Sequence, residues 1–526
     1  MKTKFALLVA YAIISISWPA SAQPGSLDST FGVNKNGKVT MSVVNGLVSE
    51  ANSVAMQADG KIVTAGLSDN GFDASGPYNF ALMRYRETGR LDKAFGNNGK
   101  VVVDFGGVDI AHAVAIQDDQ KIVAAGVTEN RSVKHFAITR FLQSGAPDIT
   151  FGVNGKVTTD FGVNSEAYAI AIQGNQRIVV VGVTGTGLTA DFALVRYLYN
   201  GTLDKSFGTS GKMITHFSDN QEAHAVAIQP DGKIVVAGYN ISKGDFTVLR
   251  YLENGTPDVA FGLNGRIITH FDNYELARAY SIAIQKDGKI VLAGYVGKNT
   301  FVGWMYDFAL ARYQPDGLPD YTFGVNGKVV TNIRGNDFGQ SMVLQPNGKI
   351  VVAGYSTTTS GSNFTLARYT VHGTLDKIFG GTGNVVTDFG GVNTFGRSVT
   401  LQQDGKIVVA GKGTSATDYF AIARYNGDNT APSISSNDDI ADLRKESNTA
   451  PNISLSPNPA RDILFVSGLS SSTKTITVVD RAGLTLQRII TTGNNHTFNV
   501  GQLHRGIYYV KINEGTKTTT LKFIKE

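Results

Sequence analysis

Short apolar runs of four to eight residues, rich in β-branched and aromatic side chains, fill most of this chain and are punctuated by Gly, Asn, Asp and Pro. One stretch shows the pattern. Gly211-Lys212-Met213-Ile214-Thr215-His216-Phe217 is followed by Ala223-His224-Ala225-Val226-Ala227-Ile228-Gln229. Pro230-Asp231-Gly232 marks a turn, Lys233-Ile234-Val235-Val236-Ala237-Gly238-Tyr239 runs back, and Phe246-Thr247-Val248-Leu249-Arg250-Tyr251 closes the unit. These are strand lengths with strand composition, and none carries a 3.6-residue apolar period long enough for a helix.

The unit recurs. An anchor, [Leu/Pro]-Asp-x-x-Phe-Gly, appears seven times, with Asp28, Asp92, Asp148, Asp204, Asp258, Asp320 and Asp376 as its acid. Successive anchor phenylalanines lie 64, 56, 56, 54, 62 and 56 residues apart. A fixed period of this size marks an array of units, each too small to bury its own apolar face. Asp-Gly or Asn-Gly joins the second and third runs in five copies, where Gly takes the positive φ the turn needs. Asp119-Gln120 and Asn175-Gln176 depart, so those turns are expected to be strained or of another type. Four antiparallel strands per repeat make one blade, and the small face Ala223, Ala225 and Ala227 lets blades approach closely. The expected fold is all-β: a seven-bladed β-propeller of four-stranded blades over 23–425. A β-solenoid is the competing architecture.

An arginine closes the fourth run in every copy: Arg84, Arg140, Arg196, Arg250, Arg312, Arg368 and Arg424. In six junctions the anchor Asp follows eight residues later, whereas Arg424 has no following anchor and Asp28 no preceding Arg. A ring in which Arg424 takes Asp28 reconciles the two, with Asp428 as a local rival. The alternative is that each Asp caps its own turn while the Arg faces solvent. Either way a feature present seven times is architecture. Function is sought where the copies differ. The second residue of run two is Asn52, His112, Tyr168, His224, Tyr280, Gln340 or Arg397, either a ring of binding side chains or a rim position with relaxed demands. Run one ends in Asp104, Asp160, His216, His270, Asn332 or Asp388, which could hold a metal only near the axis, and no metal is expected. The loop between runs three and four varies most in length, and one copy carries Phe301, Trp304 and Tyr306, an aromatic group suited to sugar or protein contact, or else a satellite core.

No nucleophile elbow, zinc-protease helix, phosphate loop or calcium loop is present, so no catalytic residue and no cofactor is assigned. Lys2 and Lys4, an apolar run from Phe5 to Ile16 and Ala20-Ser21-Ala22 read as a signal peptide over 1–22, too short for a membrane span. The chain has no Cys, so the exported protein relies on its core rather than on disulfides. Residues 426–451 are polar and Pro- and Ser-containing, a linker; 452–526 alternates like a small Ig-like β-sandwich, with strands expected at Ile463–Val466, Thr475–Val479, Thr485–Ile490, Gly506–Ile512 and Thr518–Ile524. That tail holds nine Lys and Arg against four Asp and Glu, a net of +5, which equals the net charge of the whole chain. The basic balance therefore belongs to the tail and gives no reason to expect a nucleic-acid partner.

The repeats resemble the delta-60 repeat family of bacterial exported proteins over 27–425; integrin-type FG-GAP propellers share the Phe-Gly but have a calcium loop absent here. The tail resembles the type A C-terminal sorting domain of the type IX secretion system of Bacteroidota. The matching residues are Leu455-Ser456-Pro457-Asn458-Pro459-Ala460, Asp480-Arg481-Ala482-Gly483, Leu503 with Gly506-Ile507-Tyr508, and Lys522-Phe523-Ile524-Lys525. This resemblance implies recognition by the type IX machinery, passage across the outer membrane and a protein that is secreted or held at the cell surface; an Ig-like binding module is the alternative for the tail. The function expected is a non-catalytic binding module for a glycan or a protein. The alternatives are a hydrolase or lyase of extracellular polymers, and a structural surface-layer or matrix component. Converging acidic and His side chains at one mouth would favour the enzyme, and an exposed aromatic patch would favour binding.

Overall fold

The computed structural model describes residues 22–428, apart from 45–46, 70–77, 186–189, 218 and 392, and, further on, 454–456, 460, 462–467, 469, 473–480, 485–493, 495–504, 506–514 and 517–525. The signal peptide as far as residue 21, the linker from residue 429 on, Pro457, Asn458, Pro459 and Gly483 lie outside the described residues. The chain forms two compact units, 1–430 and 431–526.

Seven four-stranded antiparallel sheets make the first unit. Blade 1 is Ser49–Met56, Ile62–Asp69, Tyr78–Tyr85 and Lys100–Val103, in that order from one edge to the other, and blades 2 to 6 repeat it. The first strands neighbour one another around a closed circle and so form the inner wall. Short hydroxyl bonds stitch them: Val114 N donates to Ser53 Oγ (3.1 Å), Met342 N to Ser281 Oγ (3.0 Å), Val399 N to Ser341 Oγ (3.2 Å) and Val54 N to Ser398 Oγ (3.2 Å). The last of these joins blade 1 to blade 7.

The blades do not coincide with the sequence repeats. The first run of each repeat, such as Lys212–Thr215, pairs with the fourth run of the repeat before it, Asp191–Tyr197, and is the outer strand of that earlier blade. Blade 7 has no following repeat. Lys38–Met41, from the N-terminal end, fills the vacancy by pairing with Asp418–Tyr425. The core is correspondingly divided into layers between blades. One layer joins Val39, Ala51 and Ile62 to Val408, Phe420 and Ile422, from the two ends of the propeller sequence.

Each invariant arginine is buried and works in three directions. It pairs with its anchor Asp at 2.7–2.9 Å, and Arg424 does so with Asp28, Nη2 to Oδ2 at 2.7 Å. Its guanidinium carbon lies 4.3–4.8 Å from the centroid of the anchor Phe. In six of the seven, Nη1 also donates to a backbone carbonyl of the next blade, as Arg84 does to Gln143 O and Arg424 to Glu87 O. The anchor Asp meanwhile caps its own turn, Asp28 Oδ1 accepting from Thr30 N at 2.9 Å, so the two roles coexist and the arginine does not face solvent. Asp428 is not the partner of Arg424. It takes the Nη1 of Arg368 at 2.8 Å, standing where a backbone carbonyl serves the other six.

The two turns lacking Gly are the same turn as the others: Gln120 N donates to Gln117 O (2.8 Å) as Gly60 N does to Gln57 O (3.0 Å), with Gln120 at φ 67° and Gln176 at φ 64°. A left-handed non-Gly residue costs about 1–2 kcal/mol. Here its side chain reaches the neighbouring blade: Gln120 Oε1 accepts from Ala58 N (3.0 Å), and Gln176 Nε2 donates to Asp118 Oδ2 (2.6 Å).

The second unit packs a three-stranded sheet, Ser454–Ser456, Ile463–Ser467 and His496–Asn499, and a four-stranded one, Thr485–Thr491, Lys474–Val479, Gly506–Glu514 and Lys517–Lys525, on one core that includes Leu464, Ile476, Phe498, Val510 and Phe523. All five expected strands are present; Ser454–Ser456 and His496–Asn499 are two more. Gly506 opens its strand, the Tyr508 ring stacks on Phe523 at 5.6 Å, Lys522 pairs through the backbone with Tyr509, and Lys525 is buried.

Candidate functional site

Every inner strand carries one β-bulge, and the bulged residue is the variable one: Asn52, His112, Tyr168, His224, Tyr280, Gln340 or Arg397. It is the fourth residue of Ser49–Met56, Ser165–Ile172 and Gln221–Ile228 and the fifth of the other four inner strands, rather than the second, because the strands begin earlier than the apolar run. The bulge has a sequence cause. Opposite it, the fifth residue of the blade's second strand is Gly66, Gly126, Gly182, Gly238, Gly294, Gly354 or Gly411, and a Cβ there would lie 1.8–2.0 Å from a carbonyl oxygen of the inner strand. The invariant Gly thus lets the inner strand press in and kink, which re-aims one side chain per blade.

Those side chains meet. Ring centroids of His112 and Tyr168 are 5.2 Å apart, Tyr168 stacks on His224 at 4.3 Å, and His224 meets Tyr280 at 4.9 Å. The row continues through residues not singled out from the sequence: Tyr280 to Tyr295 (5.6 Å), Tyr295 to Phe338 (5.0 Å), Phe338 to Tyr355 (4.9 Å) and Tyr355 to Phe395 (5.0 Å). Trp304 and Tyr306 join it, stacked at 5.9 Å, with Tyr306 4.7 Å from Phe338. Phe301, at the tip of the same hairpin, is fully exposed and touches none of these rings among the described contacts. Aromatic side chains of blades 2 to 7 therefore form one unbroken arc on the end of the propeller where inner strands begin and the hairpins between second and third strands project. Gln340 contributes no ring, and Asn52 is turned to structure, its Nδ2 donating to Ala111 O of blade 2 at 3.0 Å.

Charged groups are set among the rings, two residues before the bulge or across from that position. Glu166 accepts from His112 Nε2 and from Lys134 Nζ, each at 2.9 Å. Burial works to raise its pKa, but these two partners outweigh it and hold the carboxyl at about 2. Glu222 takes the Tyr239 hydroxyl at 2.6 Å and His224 Nε2 at 3.0 Å, and is likewise lowered against the pull of burial. Burial pushes His224 down and Tyr168 up, so the imidazole is neutral and the phenol keeps its proton near neutral pH. Lys412 closes the gap at blade 1 by pairing with Glu50 and Asp418, each at 2.6 Å. Arg278 lies 4.9 Å from the Tyr239 ring centre and Arg397 5.8 Å from that of Tyr355.

The second variable set does not join this site. Asp104, Asp160, His216, His270, Asn332 and Asp388 follow the outer strands, at the far edge of each blade. His216 pairs with Asp191 (2.6 Å), His270 with Asp245 (2.9 Å) and Asn332 with Asp307 (2.7 Å). Among the described residues no group of three or more His, Cys, Asp or Glu has metal-binding geometry.

The family model for a domain of unknown function, the DUF5122 β-propeller, matches residues 57–95, 173–207, 229–261, 285–323, 345–379 and 402–430. The model for a secretion system C-terminal sorting domain matches residues 454–526. No curated protein matches the chain. Among solved structures it is similar to the polysaccharide lyase Uly1 (12% identity, 72% of this chain and 90% of that one, TM-score 0.42) and to Trypanosoma rangeli sialidase in complex with sialic acid (10%, 96% and 88%, 0.37). It is also similar to PorZ, a surface component of the type IX secretion system of Porphyromonas gingivalis (10%, 90% and 81%, 0.23). Likenesses at this level carry no argument about function.

Proposed function

From the fact that this chain carries DUF5122 β-propeller repeats and ends in a type IX secretion C-terminal sorting domain, which delivers it to the cell surface or the extracellular space, we propose that the propeller is a non-catalytic recognition module that binds a glycan at the end of its central axis. The observation that carries this reading is the unbroken aromatic arc from His112 to Phe395, lined by hydroxyl, carboxylate and guanidinium groups. Aromatic faces pack against the C–H faces of a sugar while polar groups beside them take its hydroxyls, and small ligands favour concave sites built of just such a mixture.

A second reading, a hydrolase or lyase of extracellular polymers, is favoured by the convergence of Glu166, Glu222, His112 and His224. Against it, both carboxylates are already engaged, Glu166 by His112 and Lys134 and Glu222 by Tyr239 and His224, and both are held below the ordinary carboxylate range, so neither is poised as a general acid.

A glycan-array screen of the full secreted protein tests the proposal. We expect saccharide retention that falls at least tenfold in Tyr168→Ala and in Trp304→Ala, both still folded by circular dichroism. Retention indifferent to both substitutions, or no retained saccharide, overturns it; shortening of a retained polymer by the wild-type protein would establish the enzyme instead.

A further inference from the structure

The charges in the arc are not evenly matched. Glu166 is satisfied by Lys134 and His112, Glu222 by Tyr239 and His224, and Lys412 is shared by two carboxylates. Arg278 on blade 5 and Arg397 on blade 7 differ: among the described residues neither has a carboxylate within ion-pair distance, and both lie against tyrosine faces. Arg397 Nε is buried without a hydrogen-bond acceptor. The tyrosines link them, since Tyr280 lies within electrostatic reach of Arg278, Tyr295 and Tyr355, and Tyr355 within reach of Arg397. Of the carboxylates set among the rings, Glu166 and Glu222 stand on blades 3 and 4, with Glu222 within electrostatic reach of Arg278, and Glu50 on blade 1 and Asp418 on blade 7 are both taken up by Lys412.

A buried guanidinium donor without an acceptor is costly unless something fills the vacancy. Its planar fork matches a carboxylate or sulfate in a bidentate manner; Arg278 spends one donor on the Tyr280 hydroxyl and keeps the others for such a group. A neutral sugar would leave this potential unused. We infer that the arc takes an acidic saccharide, whose carboxylate or sulfate ester is received by Arg278 and Arg397 while its ring faces lie on the tyrosines of blades 4 to 6. This rests on the glycan reading above and narrows it to one substrate class. The polarity also sets a direction: the acidic group lies toward blades 5 to 7, and hydroxyls face Glu166 and Glu222.

Titration calorimetry of the full protein with three probes separates the possibilities: a uronic-acid oligosaccharide, the same oligosaccharide with its carboxyls reduced to alcohols, and a sulfated neutral oligosaccharide. We expect the uronate or the sulfated probe to bind at least tenfold tighter than the reduced one, with the preference shrinking as salt is raised. Arg397→Gln should remove that preference and leave the weaker binding of the neutral probe intact; Arg397→Lys should retain part of it, and Arg278→Gln should act in the same direction. Which acidic probe wins assigns the anion. Equal binding of acidic and reduced probes, or a preference untouched in Arg397→Gln, overturns this inference and leaves the glycan reading standing. Binding of none of the probes, together with an array that retains nothing, removes both.

Discussion

At the scale of single residues the protein separates groups that hold the frame from groups that stand in it under tension. Asp109 belongs to the second kind. It begins the inner wall of blade 2, is fully buried, and accepts from Phe105 N at 2.5 Å. Burial pushes its carboxyl up to about 6, helped by the charge of Asp104 and opposed by Lys156. The folded state therefore binds this proton more tightly than the unfolded chain. The stability it contributes is complete below the unfolded value near 3.8 and is lost as pH rises through about 6. Asp109→Asn cannot ionise and should escape that loss. Denaturant melts should show the variant gaining on wild type by about 2 kcal/mol between pH 4 and pH 8. A gap that stays constant with pH would mean the carboxyl is not perturbed.

At the scale of elements, the decisive feature is the displaced strand. Because the first run of every repeat lies on the preceding blade, the ring closes only when Lys38–Met41 crosses to Asp418–Tyr425. The Asp28–Arg424 pair, the Phe31 face over Arg424 and the Lys406 ammonium at 3.3 Å from Asp28 hold that crossing. Removing one partner of a buried pair leaves an uncompensated charge, at a cost of about 3–5 kcal/mol. Asp28→Ala should lower the unfolding free energy by that amount, and a double-mutant cycle with Arg424→Met should show the two changes to be far from additive; additive losses would show that the pair does not hold the ring. The Asp28–Arg424 partnership was legible in the sequence, because seven copies of one spacing leave one acid and one arginine unmatched at opposite ends. The blade boundaries were not. A run such as Lys212–Thr215 has a strand's composition, but nothing local says which neighbour it hydrogen-bonds. The site was half legible for a similar reason. Variation among the copies marked Tyr168, His224 and Tyr280. Their neighbours Glu166, Glu222 and Arg278 vary just as much two residues earlier, and Tyr239, Tyr295 and Tyr355 follow each Ala-Gly. That second layer of variation was the available signal, but it gained meaning only once the bulge opposite the glycine put both layers on one face.

At the scale of the whole molecule, the propeller and the sorting tail have separate cores. The propeller's interblade layers draw on residues up to Tyr425, and the tail's core on Ala460 to Phe523, each closing on itself. The positive charge of the chain resides in the tail, which leaves the propeller near neutrality and its local fields, at Arg278 and Arg397 above all, to be set by individual side chains rather than by a general excess. Two consequences follow from this division. A chain ending at residue 430 retains all seven blades, both ends of the clasp and Asp428 on Arg368, so its melting midpoint should match that of the propeller in the full protein. The same chain has lost the element that the type IX machinery recognises. Expressed in a type IX-competent host, it should accumulate folded in the periplasm, detected by fractionation, while the full chain reaches the surface or the medium. A truncated protein that still reached the surface would show that the address lies in the propeller, and a truncated protein that failed to fold would show that the two cores depend on each other.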